Sequence, residues 1–221
     1  MEAVTGIGRA RLGPDLYGGR EGVEGAAVGE AIDEIATARA CEYALLSLLL
    51  VRTPSQSLLE RLAGLRVDAS ALGVAHAALA EAAGRSRAET VEREFFDLFI
   101  GLGRGELVPY GSYYLTGFLH ERPLARLRSD LAELGIARAE GHAEPEDHIA
   151  ILCEIMAGLA GGRFPAPAGA EGRIFDKHLA PWAARFFADL ERAAAADFYR
   201  RVGALGRVFI EIETQAFALP A

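Results

Sequence analysis

The chain has 221 residues, 51% of them hydrophobic and 24% charged, which is enough for one good-sized core in a globular protein. Its 31 acidic against 23 basic residues leave a net charge of −8, which argues against nucleic acid and anionic membrane as partners and suits a basic one. The densest apolar run, Leu45 to Val51, is far too short to span a bilayer, and the N-terminus lacks a charged start followed by an apolar core. A cytoplasmic location is expected.

Residues 1–27 are glycine-rich with little apolar periodicity, so they are expected to form a flexible leader to an all-helical domain over 28–221. Arg9-Ala10-Arg11 is not a paired arginine motif. From Gly29 the spacing turns helical, with Ile32, Ile35, Tyr43, Leu46, Leu49 and Leu50 on one face. Thr53-Pro54-Ser55-Gln56 reads as a cap, a first-turn proline and a capping-box glutamine ahead of Leu58, Leu59, Leu62 and Leu65. Asp68 is expected to cap a third helix through Leu72, Ala75 and Leu79. Ser86-Arg87-Ala88-Glu89 reads as a capping box leading into Val91, Phe95, Leu98 and Phe99. A loop over Gly101 to Gly111 follows, then a helix started by Pro123 and closed by Gly135. A helix opening at Pro145 ends at Gly161-Gly162. Two C-terminal helices are expected, 171–195 bent or restarted near Pro181, and 197–216. No strand-length alternation competes, because Val208 to Glu213 continues the helical stripe of Phe198, Val202 and Leu205. The fold class is therefore all-α, a single-domain helical bundle.

Little in the chain points to catalysis. Gly101-Leu102-Gly103-Arg104-Gly105 follows a phenylalanine-rich helix rather than the strand a phosphate cradle needs. His142, Asp147, His148, Glu154 and His178 lack a zinc-ligand spacing, and Ser112 is not in a nucleophile elbow. No metal, cofactor or catalytic residue is expected. Cys41 and Cys153 are far apart and fall in apolar patterns, which suits buried thiols. The aromatic residues say more. Phe95, Phe96 and Phe99 crowd one helix end, Tyr110, Tyr113 and Tyr114 follow the loop, and Trp182, Phe186 and Phe187 come later. Most such residues are core, but this many beside a loop also suit the wall of an apolar groove.

The stretch from Glu144 to Met156 is the most informative. Glu144-Pro145-Glu146-Asp147-His148 has the makeup of an acid-rich helix start, with both acids after the proline complementing the helix dipole. In that arrangement Asp147 and Glu154 share a helix face. A protonated His148 is unfavourable at such a position.

Glu144-Pro145-x-Asp147-His148 resembles the signature of the TorD/DmsD-like redox-enzyme maturation chaperones. Two further segments resemble that family in order and spacing: Leu98 to Gly101 with Pro109 to Tyr114, and His178 to Trp182 with Phe186, Phe198 and Tyr199. The resemblance covers Glu89 to Glu213. It departs from the family at Leu102, where a proline is usual, and at Gly111, where glutamate is common. It implies a cytoplasmic chaperone that binds the twin-arginine signal peptide of a molybdenum- or tungsten-cofactor oxidoreductase subunit and delays export until the cofactor is inserted. Carried over by position, Phe95, Leu98 and Phe99 are groove residues, Tyr110, Gly111 and Ser112 the adjoining loop, and Glu144, Pro145, Asp147 and His148 the recognition motif. The partner is then the signal peptide with its apo catalytic subunit, and the chaperone is a monomer or a domain-swapped dimer. The physical sense is plain: carboxylates at the mouth of an apolar groove suit a peptide with arginines followed by an apolar stretch. Two alternatives stay open. One is a small-ligand or nucleotide-binding enzyme using Asp147, His148 and Glu154. The second is a structural helical subunit of a larger complex.

Overall fold

The computed structural model describes residues 25–137 and 144–219. Within them the chain is helical throughout: α1 (Gly25–Val51), α2 (Gln56–Ala63), α3 (Ala71–Arg85), α4 (Ala88–Phe95), α5 (Gly111–Thr116), α6 (Arg122–Glu133), α7 (Ile149–Ala160), α8 (Ala170–Ile174), α9 (Ala180–Arg192) and α10 (Phe198–Phe217). Two π-helical turns interrupt this order, Phe96–Ile100 after α4 and Phe175–Leu179 between α8 and α9. The extended backbone among the described residues amounts to one isolated bridge, Tyr110 to His148. The all-α expectation holds. α1 begins at Gly25, inside the segment expected to be a leader, whose first 24 residues lie outside those described, as does His142.

α7 is the centre of the bundle. Its sequence reads as a single apolar stripe, yet Ile149, Ala150, Ile151, Leu152, Cys153, Ile155, Met156, Gly158 and Leu159 are all buried. A helix apolar nearly all round has to be enclosed. α1 packs along it with Tyr43, Leu46, Leu49 and Leu50. α9 and α10 form the second layer, through Trp182, Phe186, Phe187 and Leu190 on one and Phe198, Tyr199, Val202, Leu205, Phe209 and Ile210 on the other. α2 and α3 close the far side, α3 lying on α10. Polar ties cross the layers. Arg39 on α1 donates to both oxygens of the buried Glu213 on α10 (2.7 and 2.6 Å) and to Glu171 on α8 (2.6 Å). Glu42, turned inward on α1, meets His76 of α3 at 2.9 Å.

The helix starts differ in detail from their sequence motifs. Ser55, not Thr53, caps α2, accepting from Leu58 N–H, so Pro54 lies before the helix. Ser70 caps α3, and Asp68 acts one step back by accepting from the Ser70 hydroxyl and amide. Ser86 donates to the Ala82 carbonyl and leaves α4 without a side-chain cap. At α2 and α3 a serine hydroxyl takes the role, and the sequence offers several polar side chains within reach. Pro123 in the first turn of α6 and Gly135 at φ +68° just past it are as expected. Cys153 is buried, but Cys41 is exposed, because its position falls off the Tyr43–Leu46–Leu50 face; Ile35 is likewise exposed.

α9 and α10 approach closely enough that glycine is required between them. A Cβ on Gly203 would sit 2.6 Å from the Glu191 nitrogen and 2.9 Å from the Phe187 carbonyl oxygen, both backbone atoms that cannot move aside alone. Gly203→Ala is expected to lower unfolding free energy by about 1–3 kcal/mol, the usual cost of overpacking. Urea melts of both proteins check this; coincident midpoints would contradict it.

Candidate functional site

The site is built on a clasp between the entry to α5, residues 109–112, and the entry to α7, residues 144–149. The Tyr110–His148 bridge is made by Gly111 N–H donating to the Asp147 carbonyl (2.8 Å) and Ile149 N–H donating to the Pro109 carbonyl (2.9 Å). The Asp147 side chain adds a third link, its Oδ2 accepting from Ser112 N–H at 2.8 Å. The Tyr110 hydroxyl adds a fourth, donating to Glu144 at 2.5 Å. Tyr110 and His148 rings meet edge to face, centroids 5.0 Å apart.

The Glu144–His148 motif is therefore not the first turn of α7. Pro145 opens a tight turn in which His148 N–H donates to the Pro145 carbonyl (3.1 Å), and α7 starts only at Ile149. His148 is its N-cap, with Nδ1 accepting from Ala150 N–H at 3.1 Å. That role requires an unprotonated Nδ1. Burial supplies it, pushing the imidazole down to about 4 against the pull of the Glu144 and Asp147 carboxylates. Glu146, largely covered, pairs with Arg128 of α6 (2.8 Å). Asp147 and Glu154 do not share a helix face, since Asp147 precedes the helix and Glu154 sits on it beside Arg163 (3.8 Å).

Asp147 is 3% exposed, and its second oxygen, Oδ1, is buried with no hydrogen-bond partner among the described residues; the neighbouring Ser112 hydroxyl is in the same condition. A buried carboxylate oxygen left unpaired is costly, and such atoms are rare in folded proteins. Asp147 lines a cleft of about 410 Å³ with Gly111, Leu115, Arg126, Asp130 and His178. Across the cleft the second π turn brings Lys177 and His178 together on Asp130, at 3.3 and 2.7 Å, holding that carboxyl below the usual carboxylate range.

On the other side of the 109–113 segment lies a second hollow, of about 470 Å³. Its walls are largely apolar, with Phe99, Leu107, Tyr110, Tyr113 and Phe118 among them. Ile100, Phe118 and Leu119 stand exposed at its edge, Phe118 at 69%. One short segment thus divides a cleft lined by charges of both signs from an apolar groove.

The expected groove residues separate accordingly. Phe99 and Tyr110 line the groove. Phe95 is half-buried behind Phe99, ring centroids 5.0 Å apart, and Leu98 is wholly buried and supports the wall from within. Tyr114, Trp182, Phe186 and Phe187 are core. Gly111 faces the cleft, and a Cβ there would come within 3.0 Å of the Trp182 indole nitrogen. Sequence reasoning missed Asp130 and Lys177, which no motif marks, and the tie from Trp182 N–H to the His178 carbonyl (2.7 Å). Among the described residues no group of three or more His, Cys, Asp or Glu is gathered as a metal site requires, and no helix is long and apolar enough to cross a membrane.

The capping imidazole makes a pH prediction. An unfolded histidine titrates near about 6.5, so between there and about 4 the unfolded chain binds a proton that the folded chain does not. Stability should fall as pH drops through that window, by up to about 3 kcal/mol from this one group. Asn caps equally well without titrating. His148→Asn should flatten the dependence of unfolding free energy on pH between those values; an unchanged slope would contradict the assignment.

Residues 66–188 match the family described as nitrate reductase delta subunit. The chain is 27% identical over 146 residues to the chaperone protein TorD of Aliivibrio fischeri, across 61% of this chain and 68% of that one. It is 28% identical over 127 residues to the TorD of Vibrio cholerae, across 53% and 58%. It is 29% identical over 119 residues to the Tat proofreading chaperone DmsD of Haemophilus influenzae, across 53% and 57%. The matched region thus spans little more than half the length of the last two. A redox enzyme maturation protein of Archaeoglobus fulgidus shares the fold, with a TM-score of 0.55 at 18% identity, over 78% of this chain and 93% of that one. The matched region contains both halves of the clasp up to α9, and the chain belongs to the nitrate reductase delta subunit family.

Proposed function

We propose that this protein is a chaperone for the maturation of a molybdenum- or tungsten-cofactor oxidoreductase subunit, and that it recognises the subunit's twin-arginine signal peptide. The observation that carries the proposal is the unpaired, buried Oδ1 of Asp147 in the wall of a cleft that adjoins an apolar groove. A guanidinium entering the cleft meets the Asp147 carboxylate, and a side-chain shift that uncovers Oδ1 gives that oxygen the charge-assisted hydrogen bond it lacks. The apolar stretch that follows the arginines in such a peptide covers Phe99, Tyr113, Phe118 and Leu119 across the dividing segment. The names of the TorD and DmsD relatives agree with this role. Phe95 and Leu98 act by supporting Phe99, Glu144 by holding Tyr110, and His148 by fixing the start of α7 against the loop. The net charge of −8 favours approach of a basic peptide.

The enzyme alternative fits this geometry poorly. His148 is committed to capping, and Glu154 lies beside Arg163 rather than with Asp147. The structural-subunit alternative draws on the family's own description as a subunit. It requires stable co-purification with the large subunit, whereas a chaperone leaves once its client is complete.

Asp147→Asn keeps an acceptor for Ser112 N–H and removes the charge. It should weaken a synthetic peptide of Arg-Arg followed by an apolar Leu/Ala stretch by about 1–3 kcal/mol, and flatten the salt dependence of binding. Phe99→Ala should weaken the same peptide while leaving its salt dependence intact, since that contact is apolar. Calorimetric titration of each variant at low and high salt reads both effects. Wild-type affinity in Asp147→Asn would refute the proposed contact.

A further inference from the structure

The connection between α9 and α10 turns sharply and presents a run of backbone N–H groups from Ala194 to Tyr199. Ala196 N–H donates to the Ala193 carbonyl (3.2 Å). The other five go to two glutamates from one distant part of the chain. Glu106 accepts from Ala194 (2.7 Å) and Ala195 (3.0 Å). Glu94 accepts from Asp197 (2.8 Å), Phe198 (3.1 Å) and Tyr199 (2.6 Å), and so caps α10, whose own Asp197 makes no side-chain cap.

Much of the segment between these glutamates is groove wall or its backing. The first π turn and the following glycine loop supply Phe99, Ile100, Gly103, Arg104 and Gly105 to the groove, and Leu107 to Tyr110 continue it. This wall contains no α-helix. It is folded on itself by Gly101 N–H to the Phe96 carbonyl (2.7 Å), Glu106 N–H to the Asp97 carbonyl (3.1 Å) and Leu107 N–H to the Leu98 carbonyl (2.8 Å). Gly105 lies so close that a Cβ would stand 2.5 Å from the Leu98 oxygen. Tyr199 then backs the wall, its ring 5.7 Å from Phe95 and 5.5 Å from Phe99. The wall is therefore pinned to a single connection at two points, Glu94 before it and Glu106 within it, and Tyr199 at that connection also packs behind Phe99.

The two pins differ in kind. Glu94 is buried, and its cap serves the whole fold. Glu106 is exposed and does not line the groove. We propose that Glu106 is a positioning residue for the apolar groove: by holding two N–H groups of the α9–α10 connection it fixes the 99–110 wall at the spacing that admits an apolar peptide stretch. This rests on reading the groove as the seat of that stretch.

The test compares two synthetic peptides, Arg-Arg followed by an apolar Leu/Ala stretch, and Arg-Arg followed by a Gly/Ser stretch. Glu106→Ala should weaken the first about tenfold and leave the second unchanged, because the arginines contact the other side of the clasp. Glu106→Gln should recover part of the loss, since its amide oxygen still accepts one of the two N–H groups. Amide hydrogen exchange gives a readout that needs no peptide. Leu107 N–H should exchange about tenfold faster in Glu106→Ala, with Ser112 N–H unchanged. Equal weakening of both peptides, or unaltered exchange at Leu107, overturns the role. If neither peptide binds the unaltered protein, the chaperone reading fails; faster exchange at Leu107 then still supports Glu106 as the pin of the wall.

Discussion

Asp147 makes two hydrogen bonds to the 109–112 loop, one through its carbonyl and one through its carboxylate, and the architecture of the site depends on them. They join the start of α5, and with it the loop that leads in, to the lead-in of α7, the most enclosed helix of the bundle. The loop is thereby anchored to the part of the molecule least able to move. The same residue keeps one oxygen in reserve. A carboxylate that accepted two backbone N–H groups would be a finished structural element. One with Oδ1 unpaired carries a desolvation penalty, which the proposed cationic ligand would remove. The same group thus serves both the fold and the proposed recognition, which is why Asn, retaining the acceptor, separates the two roles better than Ala does.

His148 completes the clasp by remaining neutral. A protonated ring would lose the acceptor for Ala150 N–H and place a positive charge at a positive helix end. Its burial beneath Tyr110 prevents this at neutral pH. The two π turns contribute in a parallel way. Each shifts the register of a helix beside a cavity, one presenting Phe99 and Ile100 to the groove, the other Lys177 and His178 to the cleft. Single π turns of this kind are often found at functional sites.

Much of the helical scaffold was legible in the sequence because apolar spacing and burial agree there. Pro123, Gly135 and the stripes of α2, α6 and α10 are local signals with one solution. The cap residues were less legible, since Thr53, Ser55, Asp68, Ser70 and Ser86 are alternative acceptors a few residues apart, and tertiary packing chooses among them. The start of α7 was displaced for a related reason. Pro145 and two acids fit a first helical turn, but bridging to Tyr110 draws that turn into an extended lead-in, and no local pattern reports a partner some thirty-five residues away. The same limit hid Glu94 and Glu106. A cap delivered from another helix has no sequence spacing to betray it. The motif residues themselves were found through a family resemblance. Their physical roles, with Leu98 as support rather than lining and His148 as cap, came only from the three-dimensional arrangement.

In the proposed complex one bound peptide spans the clasp, with its arginines on the Asp147 side and its apolar stretch on the Phe99 side. Photo-crosslinking tests this most directly. An Arg-Arg peptide carrying a benzophenone within its apolar stretch is irradiated with the protein, and the attachment points are mapped by mass spectrometry. Adducts are expected within residues 99–119, around the groove. Adducts concentrated on α2 and α3, which contribute nothing to the groove, would contradict the proposed seating.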